Sequence, residues 1–272
     1  MNKILIIGCG HMGSALLKSW ELNTDFSFIV VDPFQKNNIK KKFSKKTTVF
    51  KNISEVKNLN LIDLVIFAIK PQIATSVLRD ISNYKFRKKT IFISVIAGKT
   101  IKYFREFLPK SNPFVRVMPN MPSMIKEGMT CMFASENVSN KNKKIVNLLF
   151  SHVGLTLWLK KEYDINKVTA ISGSGPGYIF MIIDAFEKAA LKLGLGEKET
   201  KKLIHQTFLG SILLLLNEKI PASKLADNIA IKGGTTEAGL KQFKNQKILH
   251  KSFDKVIKAA YNKSLQLGKR KK

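Results

Sequence analysis

The chain has few of the residues that mark secreted, metal-binding or disulfide-rich proteins. Its only cysteines among 272 residues, Cys9 and Cys131, lie far apart among apolar residues and form no CxxC spacing. This pattern is typical of reduced, packed thiols in a cytoplasmic protein. The four histidines have no ligand spacing and no cysteine beside them, so no metal site is expected.

Long apolar runs are also missing. The leucine-rich run at residues 212–216 has five residues, whereas a membrane helix needs about 18 or more. The apolar N-terminal stretch is interrupted by Gly8 and Gly10, which makes it a poor signal peptide. The hydrophobic fraction of 44% is nevertheless enough for a full core, and the length allows one large domain or two ordinary ones.

Acidic residues are scarce: 19 aspartates and glutamates stand against 47 lysines and arginines, a formal net charge of +28. Such an excess can indicate a nucleic-acid binder. However, only five of the basic residues are arginine, whose planar guanidinium binds phosphates and bases through two hydrogen bonds more readily than lysine does. Most of the lysines are scattered along the chain. The dense run at residues 40–46 is expected to favour an anionic cofactor, and the run at 269–272 to be a solvated end. Nucleic acid is therefore not the expected partner.

A glycine-rich segment, GCGHMG, occupies residues 8–13. It follows an apolar run typical of a buried parallel strand and precedes a stretch, 14–20, that predicts a helix. A strand, a glycine turn and a helix bring free backbone N–H groups and the positive end of a helix dipole to one point. The next apolar run ends at Asp32, whose carboxylate can accept hydrogen bonds from a ribose 2′-OH. The pattern predicts a dinucleotide site, with a plain turn as the alternative.

The chain divides into two regimes of hydrophobic patterning. Short β-branched runs alternate with helical stretches up to residue 161, which predicts βαβ crossovers and a mostly parallel, Rossmann-type doubly wound sheet. Residues 162–272 show helical spacing only and predict an all-helical domain. The predicted strands are 3–7, 26–31, 64–69, 90–95, 114–118, 129–135 and 155–160, the last two at the far edge of the sheet.

The predicted helices of the second regime are unusually apolar. Residues 178–186 and 203–216 have almost no polar face, and a further helix is predicted over 248–267. A helix that is hydrophobic all round must be buried on every side. We therefore expect a second subunit to cover these helices; an ordinary intramolecular core is the alternative.

Six motifs together resemble the pyrroline-5-carboxylate reductase family. They are GCGHMGSAL at 8–16, FAIKP at 67–71, SVIAG at 94–98, RVMPNMP at 116–122, SGSGPGY at 172–178 and GGTTEAGL at 233–240. The resemblance spans nearly the whole chain. It implies a Rossmann domain followed by an interlocking helical domain, assembled as dimers or rings of dimers. It also implies that NADPH or NADH reduces 1-pyrroline-5-carboxylate to L-proline, the last step of proline biosynthesis.

The resemblance extends to individual residues. In the substrate site, the backbone of Gly233 and Gly234 together with Thr235 would hold the carboxylate, while Thr236 would bond the ring nitrogen. An N-cap role for either threonine is the alternative. Asn228 would contact the substrate and Glu218 would orient it, although such a glutamate is more often a solvated helix-end residue. The implied cofactor residues, besides Asp32, are Gly8, Cys9, Gly10, His11, Met12, Gly13, Asn52, Ala68, Ile69, Lys70, Pro71, Val95, Ile96 and Ala97.

One departure from the family pattern lies beside the substrate motif. Ile231 and Lys232 occupy the positions of the usual serine and proline. Ile231 has no hydroxyl, so the serine contact with the carboxylate is lost or moved. Lys232 brings a positive charge that can replace the contact electrostatically.

The expected cofactor preference depends on Asp32. Its carboxylate would repel a 2′-phosphate, which favours NADH, whereas Lys36, Lys40, Lys41 and Lys42 and the family habit favour NADPH. We expect NADH to be used at least as well as NADPH. The alternative functions are a dehydrogenase or reductase of a related hydroxy or imino acid and a non-catalytic nucleotide-binding regulator. The GGTT motif argues for catalysis.

Overall fold

The computed structural model describes residues 2–21, 25–34, 36–43 and 47–268, without the side chains of residues 36, 40 and 246. The lysines of residues 44–46 and the basic run at 269–272 therefore lie outside the described residues, as do the side chains of Lys36 and Lys40.

An eight-stranded sheet forms the first part of the chain, in the order β3-β2-β1-β4-β5-β6-β7-β8. Every neighbouring pair is parallel except β6 and β7. The mostly parallel Rossmann-type sheet is thus confirmed, as is the far-edge position of its last two strands. The strands are β1 Asn2–Ile7, β2 Phe26–Val31, β3 Thr47–Phe50, β4 Leu64–Phe67, β5 Ile91–Ser94, β6 Phe114–Met118, β7 Gly128–Ala134 and β8 Gly154–Trp158.

Helices follow most of these strands. They are α1 His11–Trp20, α2 Lys36–Lys42, α3 Ala74–Ser82, α4 Ile101–Phe104, α5 Asn140–Ser151 and α6 Asp164–Val168. Short 3₁₀ turns occupy Ile53–Glu55, Leu59–Leu61, Pro71–Ile73 and Met121–Ile125, and a π-helix occupies Thr169–Gly173.

The core of this part lies on the two faces of the sheet. Successive side chains of a strand point to opposite faces, so Ile4 and Ile6 of β1 join one apolar cluster and Leu5 and Ile7 join the other. Aromatic rings fill both clusters. The first contains Trp20, Phe26, Phe28 and Phe150, and the second contains Phe67, Phe92, Phe104 and Phe114.

Strand β3 is the one strand that the sequence pattern missed. It is four residues long and lies at the edge of the sheet, and only Val49 among its residues is buried. Its sequence, TTVF, has only two consecutive apolar residues, so it gives neither an apolar run nor a clear alternation. The first helix also starts earlier than predicted, at His11 rather than at residue 14.

The packing of the chain forms two compact units. The first contains residues up to 176 together with those from 260 onward, and the second contains 177–259. The second unit is helical, as expected, and the unit boundaries fall inside α7 and α11. The domain boundary predicted after residue 161 stays a prediction. The remaining helices are α7 Gly175–Leu191, α8 Glu197–Glu218, α9 Ala222–Ile229, α10 Thr235–Lys244 and α11 Ile248–Gly268, with a 3₁₀ turn at Asn245–Lys247.

Within the described part of the chain, no helix is both long and apolar enough to cross a membrane. The same residues contain no group of three or more His, Cys, Asp or Glu side chains that could hold a metal ion.

Candidate cofactor and substrate sites

The three glycines of the 8–13 segment have different surroundings. Gly8 has a left-handed φ of +88°, and an added Cβ would lie 2.5 Å from Ile69 Cγ2. An added Cβ at Gly13 would lie 2.7 Å from the Gly8 oxygen. At Gly10 it would meet nothing within 4 Å. The outer glycines therefore allow the loop to pack on the sheet, while the middle one borders open space.

Backbone N–H groups at the start of α1 face the same place. The first hydrogen bond of the helix runs from Ser14 N to the Gly10 oxygen, at 2.9 Å. The N–H groups of residues 10–13 therefore precede the helical ladder. Such groups, with the positive end of the helix dipole, are suited to bind an anion.

Asp32 anchors the loop from the end of β2. Its Oδ2 accepts a hydrogen bond from Cys9 N at 2.7 Å, and its Oδ1 accepts one from Phe34 N at 2.9 Å. The residue is only 7% exposed. A carboxylate at this position, beside a glycine loop, is of the type that binds a ribose hydroxyl in dinucleotide sites.

Cys9 has a packing role in the loop. Burial raises the pKa of its thiol to about 12, and the charge of Asp32 adds to this effect while that of Lys42 opposes it. The thiol is therefore neutral near pH 7 and is not a nucleophile.

Residues 68–71 lie beside the loop, because Ala68 N bonds to the Ile7 oxygen at 2.8 Å and Ile69 contacts Gly8. Lys70 is exposed and precedes the 3₁₀ turn that begins at Pro71.

Asn52 lies on the other side of the loop, since Asp32 N bonds to the oxygen of Phe50, two residues before it. The Asn52 side chain takes part in a capping box with Glu55. The hydrogen bond that the Asn52 side chain accepts from the Glu55 backbone N–H leaves fewer positions of the Asn52 amide for a cofactor.

Residues 95–97 continue the same edge of the sheet. Val95 N bonds to the Phe67 oxygen at 3.1 Å, and Ile96 N bonds to Ser94 Oγ at 3.1 Å. The predicted cofactor residues thus follow β3, β2, β1, β4 and β5, five adjacent parallel strands, at their carboxyl ends. In doubly wound sheets this edge is where dinucleotides bind.

A buried ion pair behind this edge was not predicted from the sequence. Arg116 of β6 is paired in register with Ser94, and its Nη1 lies 3.0 Å from Glu162 Oε1. The Arg116 side chain is 3% exposed; burial lowers its pKa, and Glu162 opposes that shift. The available signal was an arginine inside the apolar strand sequence FVRVM, in a chain with only five arginines.

Asn120 joins two of the motifs. Its Nδ2 donates to the Ser172 oxygen at 3.1 Å, and its Oδ1 accepts from Met129 N at 2.8 Å. Ser172 belongs to the π-helix, and π-helices frequently mark functional sites. An added Cβ on Gly173 would lie 2.8 Å from the end of the Met118 side chain, so the two motifs are also in close contact.

The GGTT motif in the second unit forms a tight turn followed by α10. Gly233 has a φ of +77°, and Gly234 N bonds to the Ile231 oxygen at 2.9 Å. Gly233 N donates to Glu237 Oε2 at 2.9 Å. Two of the predicted donors, Gly233 N and Gly234 N, are therefore bonded within the turn, and Glu237 is a residue that sequence reasoning missed.

The donors that remain are at the start of α10. The first hydrogen bond of that helix runs from Ala238 N to the Gly234 oxygen, at 3.2 Å, so the N–H groups of residues 235–237 precede the ladder. Among the bonds within the described residues, none involves the hydroxyls of Thr235 and Thr236. This end of the helix can therefore receive a carboxylate.

The other predicted substrate residues lie elsewhere in the second unit. Glu218 ends α8 and accepts a hydrogen bond from the Asn217 amide at 3.5 Å, and Asn228 is an exposed residue of α9. No hydrogen bond between described residues joins either one to the GGTT turn. Ile231 is 75% exposed and Lys232 is exposed, so the lysine can reach an anion near the turn.

Comparison with known proteins gives a consistent result. The model of the family "Pyrroline-5-carboxylate reductase dimerisation" matches residues 162–267, and that of "NADP oxidoreductase coenzyme F420-dependent" matches residues 3–98. The pyrroline-5-carboxylate reductase of Haemophilus influenzae is 32% identical over 268 residues, which cover 97% of each chain. That of Pasteurella multocida is 33% identical over 76% of this chain and 75% of its own.

Solved structures agree with the sequence matches. Plasmodium falciparum pyrroline carboxylate reductase, solved with NADP bound, has a TM-score of 0.87 and 30% identity, covering 98% of both chains. The Coxiella burnetii pyrroline-5-carboxylate reductase has a TM-score of 0.85 and 29% identity, also over 98% of both. A prephenate dehydrogenase from A. aeolicus, at 14% identity and a TM-score of 0.53, shares the fold alone.

Proposed function

The chain belongs to the pyrroline-5-carboxylate reductase family, and we propose that it reduces 1-pyrroline-5-carboxylate to L-proline with a nicotinamide cofactor. The observation that carries this proposal is the joint presence of two anion sites at helix starts. One is the open glycine loop before α1, and the other is the GGTT turn before α10. A dinucleotide and a small carboxylate need one such site each.

The first unit would hold the cofactor. The N–H groups of residues 10–13 would bind the pyrophosphate, and Asp32 would accept a hydrogen bond from the adenosine ribose. Lys70 would reach a phosphate or ribose oxygen, and residues 95–97 would lie near the nicotinamide. When bound, the cofactor supplies the hydride that the reaction consumes.

The second unit would hold the substrate. The N–H groups at the start of α10 and the Thr235 hydroxyl would bind its carboxylate, with Lys232 adding positive charge from the position before Gly233. The Thr236 hydroxyl would bond the ring nitrogen and so orient the ring for reduction. Glu218 and Asn228 would complete the site.

The Thr236→Ala variant tests this arrangement. It removes one hydrogen bond to the reacting ring, worth about 1–3 kcal/mol, or about 5- to 150-fold in rate. We expect kcat/KM for the imino acid to fall by that factor while the Kd of the cofactor stays within about twofold. The matched control is Thr48→Ala, on the exposed face of β3. Equal kinetics of the Thr236→Ala variant and the wild type would contradict this position of the ring.

We also propose that the chain forms a homodimer or a larger ring of dimers. Among the described side chains of residues 177–259, only Thr200 and Ile204 are buried. Met181 of α7 is 68% exposed, and Leu213 of α8 is 56% exposed. A helical unit with so little buried apolar area does not offset its conformational entropy, so a second copy is needed to cover it.

Light scattering at micromolar concentration tests the assembly. The wild type is expected to have at least twice the mass of the chain, and Leu213→Glu is expected to lower that mass. Leu61→Glu, at an exposed leucine of the first unit, is the control. A monodisperse wild-type monomer would refute the proposal.

A further inference from the structure

The Glu162 carboxylate makes two hydrogen bonds through a single oxygen. Oε1 lies 3.0 Å from Nη1 of the buried Arg116, and it accepts a hydrogen bond from Ile101 N at 2.7 Å. Ile101 is the first residue of α4. Glu162 therefore connects the side chain of a central strand to the backbone at the start of a helix.

The segment between β5 and α4, residues 95–100, is held at three points. At its upstream end Ile96 N is bonded to Ser94 Oγ, and Ser94 is the register partner of Arg116. In the middle, Gly98 has a φ of +78° and lies so close to Leu267 that an added Cβ would be 2.6 Å from the Leu267 Cβ. At the downstream end, Glu162 holds Ile101 N. This last bond is the one that depends on an ionisable side chain.

The order of the strands indicates that residues 95–100 lie on the nicotinamide side of a bound dinucleotide. The ribose acceptor Asp32 follows β2, and the glycine loop that would bind the pyrophosphate follows β1. The nicotinamide would then lie on the far side of the loop, near the carboxyl ends of β4 and β5. Since adjacent strands are about 4.8 Å apart, β5 lies about 14 Å from β2, on the nicotinamide side.

We propose that Glu162 is a positioning residue for the nicotinamide: through its bonds to Ile101 N and Arg116, it fixes the position of residues 95–97, which would lie near the ring. The inference rests on the proposed function, because it assumes a nicotinamide cofactor. Glu162 acts through residues 95–97 and needs no contact with the cofactor itself.

Binding of whole and truncated cofactors tests this role. NADH and NADPH are titrated calorimetrically against the wild type and Glu162→Ala, and so are ADP-ribose and 2′-phospho-ADP-ribose, which lack the nicotinamide. A hydrogen bond to a charged group corresponds to about ten- to a hundredfold in affinity. We expect Glu162→Ala to weaken NADH and NADPH binding by about tenfold or more, with the truncated ligands within about twofold. Glu162→Gln, which keeps an acceptor oxygen, is expected to restore most of the loss.

Asp63 provides a matched control at the opposite edge of the sheet. Its Oδ2 accepts a hydrogen bond from Lys3 N at 2.9 Å, and its Oδ1 pairs with Arg87 Nη2 at 2.9 Å. Asp63→Ala thus removes the same two kinds of bond just before β4, away from the carboxyl ends of the strands. It is expected to leave the ratio of whole to truncated ligand affinity unchanged.

Ile101→Pro separates the role from general stability if Glu162→Ala does not fold. Proline is tolerated at the first position of a helix, and Thr100 already has the extended conformation required before it (φ −85°, ψ 163°). This variant removes the N–H donor and leaves the Arg116–Glu162 pair. It should also weaken NADH and NADPH selectively.

An equal loss for whole and truncated ligands, or no loss for either, would overturn the proposal. The measurement uses binding alone. A wild type that binds NADH or NADPH but does not reduce the imino acid would contradict the proposed function without affecting this test.

Discussion

Replacing Asp32 by serine is expected to shift the cofactor preference towards NADPH. The carboxylate follows β2, where the adenosine ribose would lie, and the Cys9 and Phe34 N–H groups fix its orientation. Because these bonds hold the charge in place, Asp32 cannot swing away from an incoming 2′-phosphate. We therefore expect the unmodified protein to use NADH at least as well as NADPH.

The size of the effect follows from the charges at this site. Two unit charges about 5 Å apart repel by about 3 kcal/mol at an effective dielectric constant of about 20. Lys41 and Lys42 are exposed, and exposed ion pairs contribute only about 0–1 kcal/mol each. A net penalty of about 1–3 kcal/mol on NADPH remains, which corresponds to about 5- to 150-fold in kcat/KM.

Steady-state kinetics with both cofactors give the relevant ratio. Asp32→Ser also removes a buried acceptor from Cys9 N, so both cofactors are expected to bind less well. The ratio of kcat/KM for NADPH to that for NADH is therefore the quantity to compare, and it should rise by about tenfold or more. Asp32→Asn keeps the shape of the side chain without its charge and should change the ratio in the same direction. Asp25→Ser makes the same substitution before β2, at the other end of that strand, and serves as the control.

A wild-type enzyme with a large preference for NADPH would refute this reasoning. It would mean that the lysines of α2 determine the choice and that Asp32 serves only to anchor the glycine loop. An unchanged ratio in both the serine and asparagine variants would lead to the same conclusion.

Two further predictions concern the glycine loop. Gly8→Ala combines a left-handed φ with a clash against Ile69, so we expect its Tm to fall by about 4 °C or more. Gly10→Ala should keep the Tm of the wild type and raise the KM of the cofactor. A Gly8→Ala variant as stable as the wild type would contradict the packing argument. The pKa of Cys9 is raised from an ordinary value of 9.0 to about 12, so the neutral thiol favours the folded state fully below pH 9 and progressively less between pH 9 and 12. Urea unfolding of the wild type and Cys9→Ala from pH 8 to 11 should therefore show a steeper loss of stability in the wild type, and parallel profiles would argue against a buried neutral thiol.

The sequence patterns predicted the strands of the sheet that are rich in apolar residues. Six of the eight strands contain runs of buried apolar residues and were found from that pattern, and β8, which has no buried residue, was found from its apolar and β-branched sequence. Strand β3 was missed because its sequence, TTVF, has only two consecutive apolar residues. The carboxyl ends of β1, β2, β4 and β5 could likewise be expected to share one edge, because parallel strands all end on the same side.

Contacts between distant residues could not be predicted in this way. Glu162 and Ile101 are 61 positions apart, and nothing in the local sequence of either one indicates that a carboxylate will meet that N–H group. Glu237 is only four positions from Gly233, but its bond depends on the left-handed φ of the glycine. For the GGTT turn, the sequence indicated that backbone N–H groups would be present for a ligand. It did not indicate that the N–H groups of Gly233 and Gly234 would already be hydrogen-bonded within the turn.

The first unit consists of two separate stretches of the chain, and this affects the order in which it can fold during synthesis. Residues 260–268 pack with the first unit: Ser264 donates to Asn166 of α6 at 2.9 Å, and Leu267 lies against Gly98 in the loop after β5. A ribosome must therefore synthesise residues 177–259 after the strands are complete and before the last helix can join them. At about 5–20 residues per second this takes roughly 4–17 s. During that interval the first unit is complete except for its final element, residues 260–268, which can join it only afterwards.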